Sequence, residues 1–283
     1  MSLKKNIAIV CNPIALHARA HTVSERLINC LQRNCVAHCF FLKNWPEHFA
    51  DFTDVWIVSG DGTLNYFINP YPQIKLPLSI FPGGSGNDFR WMLYGNQAVE
   101  KQVAYLLTAS PFLVDAGRCN GKLFLNGVGI VFDGAIVKSL LGKKMLSGKA
   151  SYLLSILKHI VGYSEKDYVI TIDDEVIRQR CFMISVANGK RYGGRFIVAS
   201  NASVNDALLD VNIVGKITPL KRIKYLPVIE KGKHLHLPFI HYRQSNKLVI
   251  QSDVKLPAHI DGEYFSAKGF VIECLPSRFT FIR

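Results

Sequence analysis

Two glycine-rich turns carry the chemistry legible in this chain. The first is Ser59-Gly60-Asp61-Gly62-Thr63. Its glycines let the backbone approach a ligand closely, and backbone N–H groups at a helix start can bind phosphate. Asp61 can hold Mg2+ or accept a proton from an attacking hydroxyl. An ordinary strand–turn–helix link with aspartate as its cap uses the same residue types. The second turn is Phe81-Pro82-Gly83-Gly84-Ser85-Gly86-Asn87-Asp88-Phe89. So many glycines cost chain entropy that a mere loop avoids. Ser85 and Asn87 can bond a phosphate or ribose, and Asp88 can cap the next helix. Neither turn is followed by the Gly-Lys-Ser/Thr of a nucleoside-triphosphate loop, and neither fits a dinucleotide fingerprint.

The elements around these turns alternate. Residues 7–10, 36–42, 55–58 and 78–81 read as strands. Apolar positions Leu16, Ala20, Val23, Leu27 and Leu31 recur at helical spacing, as do Leu64, Phe67 and Ile68, with a further helix from about Ala98 to Thr108. The pattern predicts an α/β, Rossmann-like domain with a mostly parallel sheet over residues 1–111. Ligands of such sheets bind beyond the carboxyl ends of the strands, where both turns lie. From residue 112 to 283 short apolar or alternating runs follow one another, at 112–116, 122–130, 168–172, 180–187, 208–214, 247–251 and 270–273. They predict a β-rich, sandwich-like second domain with helical insertions near 149–163 and 218–231.

Composition sets outer bounds. Hydrophobic residues make up 49% and charged residues 19%, which fits a packed globular chain. The N-terminus, Met1-Ser2-Leu3-Lys4-Lys5, runs into an apolar strand too short for a secretory signal. Seven cysteines then read as free thiols in a reducing cytosol. Cys30, Cys35, Cys39 and His38 match no zinc spacing. His234, His236 and His241 lack acidic or cysteine neighbours and read as surface or strand residues. No apolar run reaches the ~18–20 residues of a membrane span.

The paired turns resemble the diacylglycerol kinase catalytic family, which includes bacterial lipid kinases and sphingosine kinases. The family pattern is Gly-Gly-Asp-Gly-Thr, then Pro-x-Gly-(Ser/Thr)-x-Asn-Asp-Phe. Pro82, Gly84, Ser85, Asn87, Asp88 and Phe89 match the second motif, and Ser59 replaces the leading glycine of the first, as in the sphingosine kinase branch. Asn12-Pro13, Val114-Asp115, Asn126-Gly127-Val128-Gly129, Val186-Ala187-Asn188-Gly189, Tyr192-Gly193-Gly194, Asp206 to Asp210 and Asp261-Gly262-Glu263 follow the family's order. The resemblance implies a two-domain enzyme that transfers the γ-phosphoryl of ATP to a lipid hydroxyl, diacylglycerol or sphingoid in type, with Mg2+. It implies a nucleotide lined by Asn12, Ser59, Gly60, Asp61, Gly62, Thr63, Asn65, Gly84 and Ser85. Asp61 and Glu263 are the alternatives for the base. Asp61, Asp88 and Asp115 would shape the Mg2+–phosphate region, and Asp206 with the Leu208 backbone would carry a structural metal. Ala207 stands where the family has glycine; a left-handed conformation there would cost an alanine on the order of 1 kcal/mol and puts that metal in doubt. Some members dimerise, so a homodimer is among the assemblies implied.

The net charge of +13 and pI of about 9.4 attract anionic partners. Lys138, Lys143, Lys144, Lys149 and Lys158 fall in an acid-free stretch beside the apolar stripe Tyr152, Leu153, Ile156, Leu157, Ile160 and Val161. Lys216 to Lys247 holds eight Lys/Arg and one acid, Glu230. A core-facing helix with solvated lysines is one reading of these segments. Docking of a cytoplasmic protein on an anionic membrane surface is the other. No nucleic-acid signature is present. The rival activities are a NAD kinase, which shares the Gly-Asp-Gly-Thr turn, and a catalytically silent lipid- or nucleotide-binding protein. The stretch from Gly84 to Phe89 speaks against the first, and the set Asp61, Asp88, Asp115 and Glu263 against the second.

Overall fold

The computed structural model describes residues 5–12, 18–42, 44–141, 157 and 159–283. The chain divides into two compact units, Met1–Val114 with Ser277–Arg283, and Asp115–Pro276.

In the first unit, four strands lie parallel in the order β2 (Ala37–Phe41), β1 (Asn6–Cys11), β3 (Asp54–Ser59), β4 (Leu78–Pro82). The end of the last strand, β13 (Glu263–Ile282), adds Phe281 beside Leu78, again parallel. Every residue of β3 is buried, as an inner strand of a parallel sheet requires. Helices α1 (Ala18–Arg33), α2 (Asp61–Ile68), α3 (Asp88–Tyr94) and α4 (Val99–Leu106) connect them. Helix α1 turns Ala20, Val23, Leu27 and Leu31 inward, which is the spacing read from sequence; Leu16 lies outside the described residues.

The second unit is β-rich and antiparallel. Its sheet runs β11 (Ile240–Ser245), β10 (Leu209–Gly215), β9 (Glu175–Ala187), β7 (Gly127–Val131), β12 (Lys247–Ile260) and then β13, with β8 (Lys166–Ile172) bonded to both β9 and β12. Strand β5 (Pro111–Cys119) forms a hairpin with β6 (Lys122–Phe124). One core gathers Val128, Ile170, Ile184, Val211, Ile250 and Phe270. A second packs Phe132, Ile136, Phe182 and Val214 under two helices, α5 (Phe132–Leu140) and α6 (Pro219–Glu230).

Helix α6 is the insertion expected near 218–231. Of the insertion expected near 149–163, Leu157 and residues 159–162 are helical; Lys143, Lys144, Lys149, Tyr152, Leu153, Ile156 and Lys158 lie outside the described residues. Two elements escaped the sequence reading. Strand β11, Ile-His-Tyr-Arg-Gln-Ser, is half-buried without clean alternation. Helix α5 follows β7 with no polar break, because Val131 turns the chain at φ 75° and ψ −105°. His234 is neither the surface nor the strand residue expected: it is buried outside any strand, with Nε2 at 3.1 Å from the Val198 carbonyl.

Candidate functional site

The two glycine-rich turns of the first unit stand at the carboxyl ends of neighbouring strands, with Ser59 paired to Pro82. They touch backbone to backbone. A Cβ on Gly84 would sit 2.4 Å from the Gly60 Cα, and one on Gly83 would sit 2.9 Å from the Ser59 nitrogen. No side chain fits at these contacts. The Gly83 N–H also donates to the Ser59 carbonyl at 2.8 Å.

Side chains then fix the pair. Asn87, left-handed at φ 53°, accepts the Gly84 N–H through Oδ1 at 2.9 Å and donates from Nδ2 to the Gly84 carbonyl at 2.8 Å. Asp61 opens α2, yet its carboxylate serves α3. Oδ2 accepts the Asp88 N–H at 3.0 Å and Oδ1 the Phe89 N–H at 2.9 Å. The sequence offered Asp88 as the cap of its own helix; instead the aspartate of the first turn closes the start of α3. Helix α2 itself begins at Gly60 without a side-chain cap, so its N-terminal end, the positive end of its dipole, suits an anion.

The remaining residues of the first unit surround these turns. Asn12 follows β1, Thr63 is buried, Asn65 is partly buried and receives the Asn69 amide at 3.3 Å, and Ser85 is exposed. The Ser59 hydroxyl is buried and has no hydrogen-bond partner. Oxygens of Asp61 and Asp88 both approach Gly86, each 3.1 Å from where a Cβ would stand. Two carboxylates converging beside a glycine that leaves room suit a Mg2+ that arrives with nucleotide phosphates, since such ions use one or two carboxylates and keep water.

In the second unit, Asp261 and Gly262 form the β12–β13 turn with φ of 47° and 89°, the positive pair of a type I′ hairpin. Asp261 anchors it. Its carboxylate accepts the N–H groups of Leu125 (3.0 Å), Asn126 (2.9 Å) and Gly127 (2.9 Å). Glu263 follows at the surface. The Asp115 carboxylate accepts the Ala207 N–H at 2.7 Å, and Asp206 accepts the Leu208 N–H at 3.1 Å. Ala207 is left-handed at φ 63°, the condition under which alanine is strained. Among the described residues no group of three or more His, Cys, Asp or Glu is placed to hold a metal ion. Asp210 Oδ2 is buried without a hydrogen-bond partner, and burial raises its pKa.

A polar group in this unit, partly buried at Asp133 and Tyr192 and buried at His259, was missed by sequence reasoning. Asp133, the second residue of α5, accepts the Tyr192 hydroxyl at 2.6 Å. Tyr192 meets the His259 ring edge-on at 5.3 Å. Asp133 Oδ2 and His259 Nε2 both crowd Gly129, at 2.9 and 2.4 Å from its Cβ position. Burial pushes the Asp133 carboxyl up to about 6 and the His259 imidazole down to about 4. His259 Nδ1 lies 3.3 Å from the Gly262 N–H, on the turn that carries Glu263. Tyr192 stands in the Tyr192-Gly193-Gly194 run, but Asp133 and His259 come from other elements and no local motif ties the three together.

Comparison with known families covers most of the chain. The model of the diacylglycerol kinase catalytic domain matches residues 6–119, and that of the YegS C-terminal NAD kinase beta sandwich-like domain matches residues 128–283. This chain belongs to the diacylglycerol kinase catalytic family. Within the family it is similar to a Staphylococcus haemolyticus protein named "Putative lipid kinase", 33% identical over 85% of this chain and 79% of that one. A Shewanella frigidimarina protein named "Probable lipid kinase YegS-like" is 25% identical over 98% and 89%. The fold is shared with a Bacillus anthracis crystal structure described as a putative diacylglycerol kinase, at TM-score 0.78 and 23% identity, covering 100% of this chain and 98% of that one. Membership in a lipid kinase family implies ATP and a lipid as substrates. No helix among the described residues is long and apolar enough to cross a membrane.

Proposed function

We propose that the protein transfers the γ-phosphoryl of ATP to the hydroxyl of a lipid of the diacylglycerol or sphingoid type. The observation that supports this most directly is the backbone contact of Gly60 with Gly84, held by the Asp61 carboxylate. Phosphoryl transfer needs positioning and neutralisation of phosphate charge more than covalent help. A rigid turn pair whose helix start is uncapped offers both.

The turn residues Ser59 to Thr63, with Asn12, Asn65, Gly84 and Ser85, would bind the nucleotide. Asp61 and Asp88 would hold Mg2+, which would neutralise charge on the phosphate oxygens; the family resemblance adds Asp115 to the residues that serve the ion and phosphates. Glu263 is the better candidate for proton acceptor. Both oxygens of Asp61 already accept backbone N–H groups, so its orientation follows α3 and not a substrate hydroxyl. Glu263 is exposed, on a turn pinned by Asp261. On this reading the lipid meets the second unit, and the protein works as a cytoplasmic enzyme at an anionic membrane surface.

The test is transfer of label from γ-labelled ATP to diacylglycerol, sphingoid bases and other hydroxyl lipids in mixed micelles, with NAD as a soluble control. Label in a lipid, lost in Asp61→Asn and Glu263→Gln, supports the reading and names the substrate. Label in NAD overturns it in favour of a NAD kinase. ATP binding without transfer to any acceptor overturns it in favour of a silent binding protein. Near-normal turnover of both variants refutes the assigned residues.

A further inference from the structure

Helix α6 packs Tyr225, Leu226 and Ile229 on the core and carries a second apolar face outside it. Its Arg222 points inward and is 5% exposed. The guanidinium donates to the carbonyls of Ile217 (2.9 Å), Ile160 (2.6 Å) and Tyr163 (2.8 Å) and to the Glu165 carboxylate (2.7 Å), and it lies 4.3 Å over the Phe182 ring. Meanwhile Leu220 is 81% and Ile223 42% exposed, and Pro227 is also exposed. Positions i, i+3 and i+7 share one helix face. A single exposed leucine is unremarkable, but a helix that already seats Tyr225, Leu226 and Ile229 on the core and still turns a second apolar stripe to water needs a reason.

Charge around the stripe indicates what covers it. Lys221 and Lys224 flank it, and Lys216, Lys231 and Lys233 are exposed nearby. The one acid of residues 216–233, Glu230, is engaged by Arg195. An apolar face with cationic flanks is the composition of helices that lie in a membrane interface, and lysines there complement anionic headgroups.

We propose that the Leu220–Ile223–Pro227 face of α6 seats the protein on a bilayer carrying anionic lipid. Leu220 and Ile223 enter the acyl boundary while Lys221 and Lys224 meet headgroup phosphates. The proposal rests on the lipid-kinase reading for its purpose, since such an enzyme must reach a substrate held in a bilayer.

The experiment is co-sedimentation, without ATP, with phosphatidylcholine vesicles that contain or lack phosphatidylglycerol. Wild type is expected to bind the anionic vesicles and to be released by salt. Each lysine is worth roughly fivefold in binding, so K221E/K224E should bind at least about 25-fold more weakly. L220D/I223D should also lose binding while keeping its thermal unfolding midpoint and its turnover of a water-soluble short-chain lipid. In L220W, the difference spectrum against wild type should shift to the blue on adding vesicles. L220D/I223D binding as tightly as wild type, or L220W showing no shift, overturns the proposal. So does an oligomer in vesicle-free buffer that L220D/I223D dissolves, since the face would then join two copies of the chain. If no lipid is phosphorylated but L220W inserts, the kinase reading falls and this one stands.

Discussion

The carboxylate of Asp61 accepts the backbone N–H of Phe89 at 2.9 Å, across 28 residues of chain. With the bond from Asp88 at 3.0 Å, this ties the start of α3 to the start of α2. The two motifs are thus one mechanical unit, and Asp61 has a positioning role whatever else it does.

Asp61→Asn puts an amide where two N–H groups must be accepted, leaving one donor without an acceptor. The loss should be about 2 kcal/mol of stability, read by urea unfolding. Displacement of the turns should lower lipid phosphorylation by at least ~10²-fold. Normal stability together with lost activity would show that the carboxylate acts chemically and not as a brace.

Gly84→Ala places a Cβ 2.4 Å from the Gly60 Cα, and both neighbours are backbone, so the turns must part. Overpacking of this kind costs about 1–3 kcal/mol, and ATP affinity should fall with it. Gly95→Ala is the control. Its φ of 63° strains an alanine, but no atom lies within 4 Å of the new Cβ. It should lose about 1 kcal/mol with ATP affinity unchanged in a calorimetric titration.

Asp133 and His259 should oppose one another in pH dependence. The folded chain keeps the Asp133 proton up to about pH 6, whereas the unfolded chain releases it near the ordinary carboxylate value; stability from this group therefore falls as pH rises from about 4 to 6. The folded chain refuses a proton on His259 down to about pH 4, whereas the unfolded chain takes one up below about 6.5; stability from this group rises over the same window. Each contribution is about 3 kcal/mol. Denaturation at pH 4.5 and 6.5 should show Asp133→Asn gaining stability with rising pH relative to wild type, and His259→Gln losing it. Parallel profiles for the two variants would contradict the assignment.

Ala207→Gly removes a side chain from a left-handed residue. The expected gain is about 1 kcal/mol, measured by thermal unfolding. Because the Ala207 N–H holds Asp115, added Mg2+ provides a second readout. Stabilisation by Mg2+ in the glycine variant and not in wild type would show that the alanine had closed a cation site.

The sequence by itself determined the strand–turn–helix order of the first unit, both glycine-rich turns, and most strands of the second. These depend on hydrophobic periodicity and on glycine, which act over a few residues. It read β13 only at 270–273, because the full strand from Glu263 to Ile282 carries Gly269, Pro276 and many polar positions. Tertiary structure alone decided what the carboxylates do. Asp61 and Asp261 both look like free acids in a motif, yet each spends its oxygens on backbone N–H groups, Asp261 on residues 134 to 136 positions away. The contacts among Asp133, Tyr192 and His259 and the second, exposed apolar face of α6 were likewise invisible. A side chain's partners and its direction are set by which distant segments pack against it, and no local pattern records that.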